Sequence, residues 1–118
     1  MKNIKFRVWD KKAKWMLSWE DILEGKTGNA WQFFMQAIKN KNDRFPIMQF
    51  TGLTDMNGKQ IYEGDILKHY KMGDFDKKEP IIGEVIFDSN GVSAGYWPVG
   101  HLDKCEVIGN IYEGLHKK

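Results

Sequence analysis

Apolar and polar residues alternate from the fourth position of the chain. Ile4, Phe6 and Val8 fall on one side of an extended segment and Lys5, Arg7 and Trp9 on the other, the period of two that marks a β-strand. Asp10-Lys11-Lys12-Ala13 reads as a turn, and Lys14-Trp15-Met16-Leu17 as the strand returning from it. Ser18 with Asp21 resembles a helix-capping arrangement and predicts a short helical turn through Leu23, stopped by Gly25. Asn29 is placed to cap a second helix, with Trp31, Phe34, Met35 and Ile38 at helical spacing on one face. The polar run 39–43 ends it. Phe45-Pro46 then opens a strand through Phe50, with Pro46 at the strand's beginning or on an edge, where its missing amide is tolerated.

Beyond residue 65 the pattern is strand and turn. From Asp65 a strand runs through Ile66, Leu67 and Lys68, with Tyr70 on the same even-numbered face as Ile66. Residues 71–80 form a polar, charged loop. Ile81 to Phe87 is a strand, Asp88-Ser89-Asn90-Gly91 a reversal, and Val92 to Trp97 a returning strand broken by Gly95 and ended by Pro98. Val107 to Tyr112 is the last strand, with Gly109 at a bulge, and Leu115 to Lys118 is a frayed end. No internal repeat, linker or low-complexity segment interrupts the chain.

The densest punctuation lies in residues 49–67, Gln-Phe-Thr-Gly-Leu-Thr-Asp-Met-Asn-Gly-Lys-Gln-Ile-Tyr-Glu-Gly-Asp-Ile-Leu. Asn57-Gly58 tolerates positive φ and favours a tight hairpin, and apolar Phe50, Leu53 and Ile61 flank it as a hairpin requires. Glu63-Gly64-Asp65 is a second reversal, centred on a glycine free to adopt a left-handed conformation.

This stretch resembles the signature of the YopX family, small proteins of bacterial phages and prophages. The family pattern is Tyr-Thr-Gly-Leu-x-Asp-x-Asn-Gly-x-x-Ile-Tyr-Glu-Gly-Asp-Ile, and here Phe50 alone departs from it, at the first Tyr. The opening Lys5-Phe6-Arg7-Val8-Trp9-Asp10 and the closing Val107-Ile108-Gly109-Asn110-Ile111-Tyr112-Glu113 are similar to the family's two ends. Residues 18–44 and 71–82 carry no family motif and look like variable insertions. The resemblance implies a mainly β fold, a small barrel of the Src-homology-3 type, with a helical insertion at about 18–44 (α+β overall) and barrel motifs at 49–67, 81–97 and 106–113. It implies no established activity, and places the protein in a bacterial host.

Composition fits one soluble domain over residues 1–118, with 42% hydrophobic and 29% charged residues. A single cysteine, Cys105, excludes an intramolecular disulfide and suits a reducing cytoplasm. No apolar run approaches the ~20 residues of a membrane span, and Met1-Lys2-Asn3 leads straight into a strand rather than a signal peptide.

Charge is uneven. Residues 1–17 carry Lys2, Lys5, Arg7, Lys11, Lys12 and Lys14 against Asp10 alone; since the whole chain is +2, the remainder is net −3. That asymmetry points to an anionic partner. Lys5, Arg7, Trp9, Lys11, Lys12 and Lys14 are candidate nucleic-acid-binding residues, the cations neutralising phosphates and an exposed Trp9 stacking on an unpaired base. The competing reading is a solvated sheet face whose Trp9 covers a neighbouring element. The sequence pI of 8.6 falls below the ~9 of strongly nucleic-acid-binding domains.

Five tryptophans exceed what a small barrel readily buries. Trp31, Phe33, Phe34 and Met35 are therefore candidate protein-interaction residues, for a second copy or for a host or phage protein; alternatively their helix caps an open barrel end. His69, His101, His116 and Cys105 lack the close pairing of a metal site, and the expected arrangement is a partly buried thiol beside a surface imidazole. Glu63 and Asp65 could act as paired carboxylates, but an Asp at a glycine corner more often accepts the turn's own amides. No serine elbow, Walker loop or dinucleotide fingerprint is present. The expectation is a protein without enzymatic activity, metal or cofactor, binding protein in preference to nucleic acid.

Overall fold

The computed structural model describes residues 4–24, 34–35, 38–39, 44–70, 79–99 and 104–115. The chain divides into two compact units, one of residues 3–49, the other of 50–118 with the first two residues. The fold is mainly β, as the alternating pattern predicts.

In the first unit β1 (Phe6–Asp10) pairs antiparallel with β2 (Trp15–Leu17), with Val8 opposite Leu17 and Asp10 opposite Trp15. The turn between them is built on Asp10, whose Oδ1 accepts the amides of Lys12 and Ala13 at 3.0 and 3.1 Å. Lys14 closes it with φ 56°, its amide donating a hydrogen bond to the Asp10 carbonyl at 2.7 Å. Ser18 caps α1 (Trp19–Glu24) as expected: its Oγ accepts the Asp21 amide at 3.0 Å, and Glu20 and Asp21 in the first turn complement the helix dipole. Ile22 is the helix residue that enters the core. It joins Val8, Leu17, Phe34 and Phe45, with Phe6, Trp19 and Ile47 packed against them. Phe6, Trp19 and Phe34 form an aromatic triangle with centroids 5.6–5.9 Å apart, adding roughly 0.5–1.5 kcal/mol per pair to the burial itself.

β3 (Ile47–Thr54) contributes to both units. Ile47 to Gln49 pair with β1, while Phe50 and Thr54 pair with Tyr62 and Gln60 of β4 (Gln60–Tyr62). The β3–β4 hairpin turns at Asp55 to Gly58, where Gly58 takes φ 80°. Its register is locked by Thr51, which donates to the Ile61 carbonyl at 2.7 Å.

The second unit also holds a six-stranded antiparallel sheet. Its strands are β5 (Asp65–His69), β6 (Ile81–Asp88), β7 (Gly91–Ala94), β8 (Trp97–Pro98), β9 (Glu106–Asn110) and β10 (Gly114–Leu115), in the order β10-β9-β5-β6-β7-β8. Its core is Ile61, Leu67, Val85, Ala94, Cys105 and Val107. The face of β5 turned inward is the odd one, Asp65, Leu67 and His69, while Ile66 and Tyr70 share the half-buried even face. Two expectations need correction. Val92 to Trp97 is not one strand: the chain reverses at Gly95-Tyr96, and β8 returns along β7 with Trp97 opposite Ala94. Leu115 is not frayed, because β10 pairs with β9.

The bulge expected at Gly109 is present. Leu67 pairs with Val107 but Ile66 with Gly109, leaving Ile108 as the extra residue. A Cβ on Gly109 would sit 2.2 Å from the Gly114 carbonyl oxygen, so only glycine lets β10 dock this closely.

Candidate binding surfaces

The basic hairpin keeps some of its expected residues at the surface and withdraws others. Lys11, Lys12 and Lys14 are exposed, while Lys5 and Arg7 are half-buried. Trp9, expected to offer a stacking surface, is buried at 6% exposure. The alternation promised β1 one solvent face, but the strand lies between β2 and β3 and its last three residues are covered on both sides. The exposed aromatic is instead Trp15, 56% exposed at the start of β2 directly after the three lysines. No sequence signal separates it from Trp9, since both are paired strand residues, Trp15 opposite Asp10 and Trp9 opposite Met16.

A fixed ion pair braces this hairpin. Arg44 grips Asp10 in two hydrogen bonds, Nε to Oδ1 at 3.0 Å and Nη2 to Oδ2 at 3.2 Å, and the Lys11 amide bonds the Arg44 carbonyl at 2.9 Å. The Arg44 guanidinium holds the Asp10 carboxyl below the usual carboxylate range; burial opposes this, and the amides of Ala13 and Lys12 reinforce it. The bond to Asp10 in turn raises the Arg44 pKa. The hairpin's acid is therefore engaged inward, and its lysines meet solvent.

The aromatic insertion is only partly visible: Trp31 and Phe33 lie outside the described residues. Phe34 and Met35 are helical, as are Ile38 and Lys39. Phe34 is 5% exposed and belongs to the core, which corrects its assignment to an interaction patch. Met35 and Ile38 remain exposed. Helical spacing cannot distinguish the residue facing the core from its neighbours one turn away.

Exposed apolar residues that the sequence did not single out lie at the β6–β8 margin of the sheet, on both of its faces. The even residues of β6, Ile82, Glu84 and Ile86, face solvent. Gly95 and Tyr96 have consecutive positive φ of 61° and 71°, the signature of a type I′ turn. Gly83 allows this turn its close approach, since a Cβ there would lie 2.3 Å from the Gly95 nitrogen. Tyr96 is fully exposed and Trp97 42% exposed. A bulky residue at left-handed φ costs of order 1–3 kcal/mol, yet the exposed Tyr96 side chain recovers none of that by burial.

The remaining candidates resolve into structural roles. Asp65 is buried, and its Oδ2 accepts the Tyr62 amide at 2.8 Å, the turn-amide arrangement weighed against paired catalysis. Cys105 is wholly buried rather than partly, and His101 and His116 lie outside the described residues. His69 is buried on β5; its Nε2 lies 2.9 Å from the Ala94 carbonyl, so that nitrogen carries the proton. Among the described residues no group of three or more His, Cys, Asp or Glu could hold a metal, and no helix is long and apolar enough to cross a membrane.

The model of the family described as "YopX protein" matches residues 5–114. Among solved structures, the chain is similar to protein EF1440 from Enterococcus faecalis, at 20% identity and TM-score 0.60 over 95% of both chains. It is likewise similar to protein yopX from Bacillus subtilis, at 22% identity and TM-score 0.55, covering 95% of this chain and 94% of that one. No curated protein matches the chain.

Proposed function

The chain belongs to the YopX family, and from that premise we propose that it is a non-enzymatic accessory protein of a phage or prophage, a protein-binding module acting in the bacterial cytoplasm. It self-associates or holds a host or phage protein, and its six-stranded sheet is the open counterpart of a small Src-homology-3-type barrel. The observation that carries this reading is apolar exposure at the β6–β8 margin: Ile82 and Ile86 are 55% and 44% exposed on one face of the sheet, and Trp97 is 42% exposed on the other, after Tyr96 at 102% on the turn before it. Single exposed apolar residues are ordinary, but two along one strand face, with an exposed tyrosine on a strained turn at the same margin, are what partner surfaces supply.

Sedimentation equilibrium tests it. The expected result is concentration-dependent association that Ile82→Lys with Tyr96→Ser abolishes. Should the protein be monomeric throughout, the partner must be heterologous. A host or phage protein should then be retained from nuclease-treated lysate by the wild type and not by the double variant. Failure of both experiments overturns the reading.

A second reading is favoured by Trp15, exposed beside Lys11, Lys12 and Lys14: the hairpin binds single-stranded nucleic acid, stacking a base on Trp15 while the lysines neutralise phosphates. Retention on an oligonucleotide should weaken steeply with salt and with Lys11→Glu plus Lys12→Glu. Absence of retention at low salt would remove it.

A further inference from the structure

We propose that the outer face of the β5–β6 pair is an interface for a second copy of this chain, packed face to face about a two-fold axis. The inference rests on the protein-binding reading above and names its partner and the residues that meet. What carries it is a square of four side chains. Ile66 of β5 stands opposite Glu84 of β6, and Lys68 opposite Ile82, in a register without a bulge. All four occupy even positions, so strand alternation puts them on the side away from Leu67 and Val85, which belong to the core.

One diagonal of the square is apolar, Ile66 to Ile82; the other joins opposite charges, Lys68 to Glu84. That pattern is its own complement. A two-fold axis lying between two such faces, close to the Ile66–Ile82 diagonal, exchanges the ends of the charged diagonal. Each Lys68 then meets the second copy's Glu84, while Ile66 and Ile82 pack against their own equivalents. Stacked sheets lie about 10 Å apart, within the combined reach of a lysine and a glutamate.

One copy alone leaves this face in water. Ile82 is 55% exposed, and Ile86, further along the same face of β6, is 44% exposed. Glu84 is exposed, and Ile66 and Lys68 are half-buried. Neither Lys68 nor Glu84 has an ion pair or a side-chain hydrogen bond among the described residues. Glu106 stands across from Lys68 on β9, so in the dimer that ammonium lies between two acids. A face with charges of one sign would repel its own copy and demand a different partner. This face carries both signs, placed where a two-fold axis pairs them.

Sedimentation equilibrium tests the pairing, with wild type, Lys68→Glu, Glu84→Lys, a one-to-one mixture of the two variants, and the double variant. A face this small, burying under about 1,200 Å², gives a weak dimer with Kd on the order of 10 μM. Each single variant alone sets like charges against each other at both contacts and should dimerise at least about tenfold more weakly. The mixture restores both opposite-charge contacts, so a heterodimer of near wild-type affinity should form, and the double variant should regain self-association. Either rescue also reports that the substituted chains fold. The inference is overturned by a wild type that stays monomeric to about 1 mM, by a single variant that dimerises like wild type, or by failure of both rescues. A monomeric wild type leaves the protein-binding reading to the retention of a heterologous partner, so the two fail separately.

Discussion

The amide of Val107 donates to Oδ2 of Asp55 at 2.9 Å, joining residues 52 positions apart. The other oxygen of the same carboxylate accepts the amides of Asn57 and Lys59, each at 2.9 Å. One buried side chain therefore shapes the Asn-Gly hairpin and ties it to β9. A parallel tie lies 9 residues further along, where the Gly64 carbonyl accepts the Ile111 amide at 2.8 Å. The central signature and the closing motif, distant in sequence, are one hydrogen-bonded assembly.

Asp55→Ala should therefore be among the most destabilising single changes in the protein. It strands three amides, at least one of them buried, and a loss of about 2–4 kcal/mol is expected. Asp55→Asn keeps one acceptor oxygen and should fall between wild type and Ala. Urea unfolding monitored by tryptophan fluorescence measures the order; an Ala variant as stable as Asn would contradict it.

Asp10 gives a prediction for acid. Its carboxyl titrates below the ordinary value of 3.8 in the folded protein because Arg44 binds the charged form. In the unfolded chain it binds protons more readily, so the pair's contribution is present above about pH 4 and is lost as pH falls through the lower folded value. Asp10→Asn should cost about 1–2 kcal/mol near neutrality, moderated because the Arg44 side chain is 42% exposed. The difference between variant and wild type should shrink below pH 4. A difference independent of pH between 7 and 3 would show that the ion pair is not its source.

Tyr96→Gly should raise the thermal midpoint. Positive φ at Tyr96 is relieved by glycine, partly offset by glycine's greater freedom in the unfolded chain, for a net gain of about 0.5–1 kcal/mol. The same change should weaken partner binding. Stabilisation at the expense of binding is the pattern expected where strain serves an interaction.

Because β3 supplies paired residues to both compact units, the chain should unfold as one domain. Asp10→Asn in one unit and Asp55→Asn in the other should then shift one common transition. Two separate transitions, each moved by one substitution, would instead make the units independent domains.

Local features were the most legible. The Ser18 cap, the Asp10 turn, the Asn57-Gly58 and Asn90-Gly91 reversals and the Gly109 bulge all follow from residue chemistry within a few positions, and each is present. The Gly95-Tyr96 turn was not, because its left-handed tyrosine is a conformation that sequence statistics disfavour and tertiary packing against Gly83 imposes. The candidate sites fared worse for the same reason. Trp9 and Trp15 are equally aromatic in sequence, and only the neighbouring strands bury the first and leave the second in water.

The sequence by itself determined the family, the mainly β class and the positions of most turns, since these depend on short-range conformational preference and on signature residues that bond locally. Which face of each strand is buried was decided by tertiary structure. So were the joining of Asp55 to Val107 and the square of Ile66, Lys68, Ile82 and Glu84 on one sheet face. These relations depend on strand order and register across long loops, which a one-dimensional pattern does not specify.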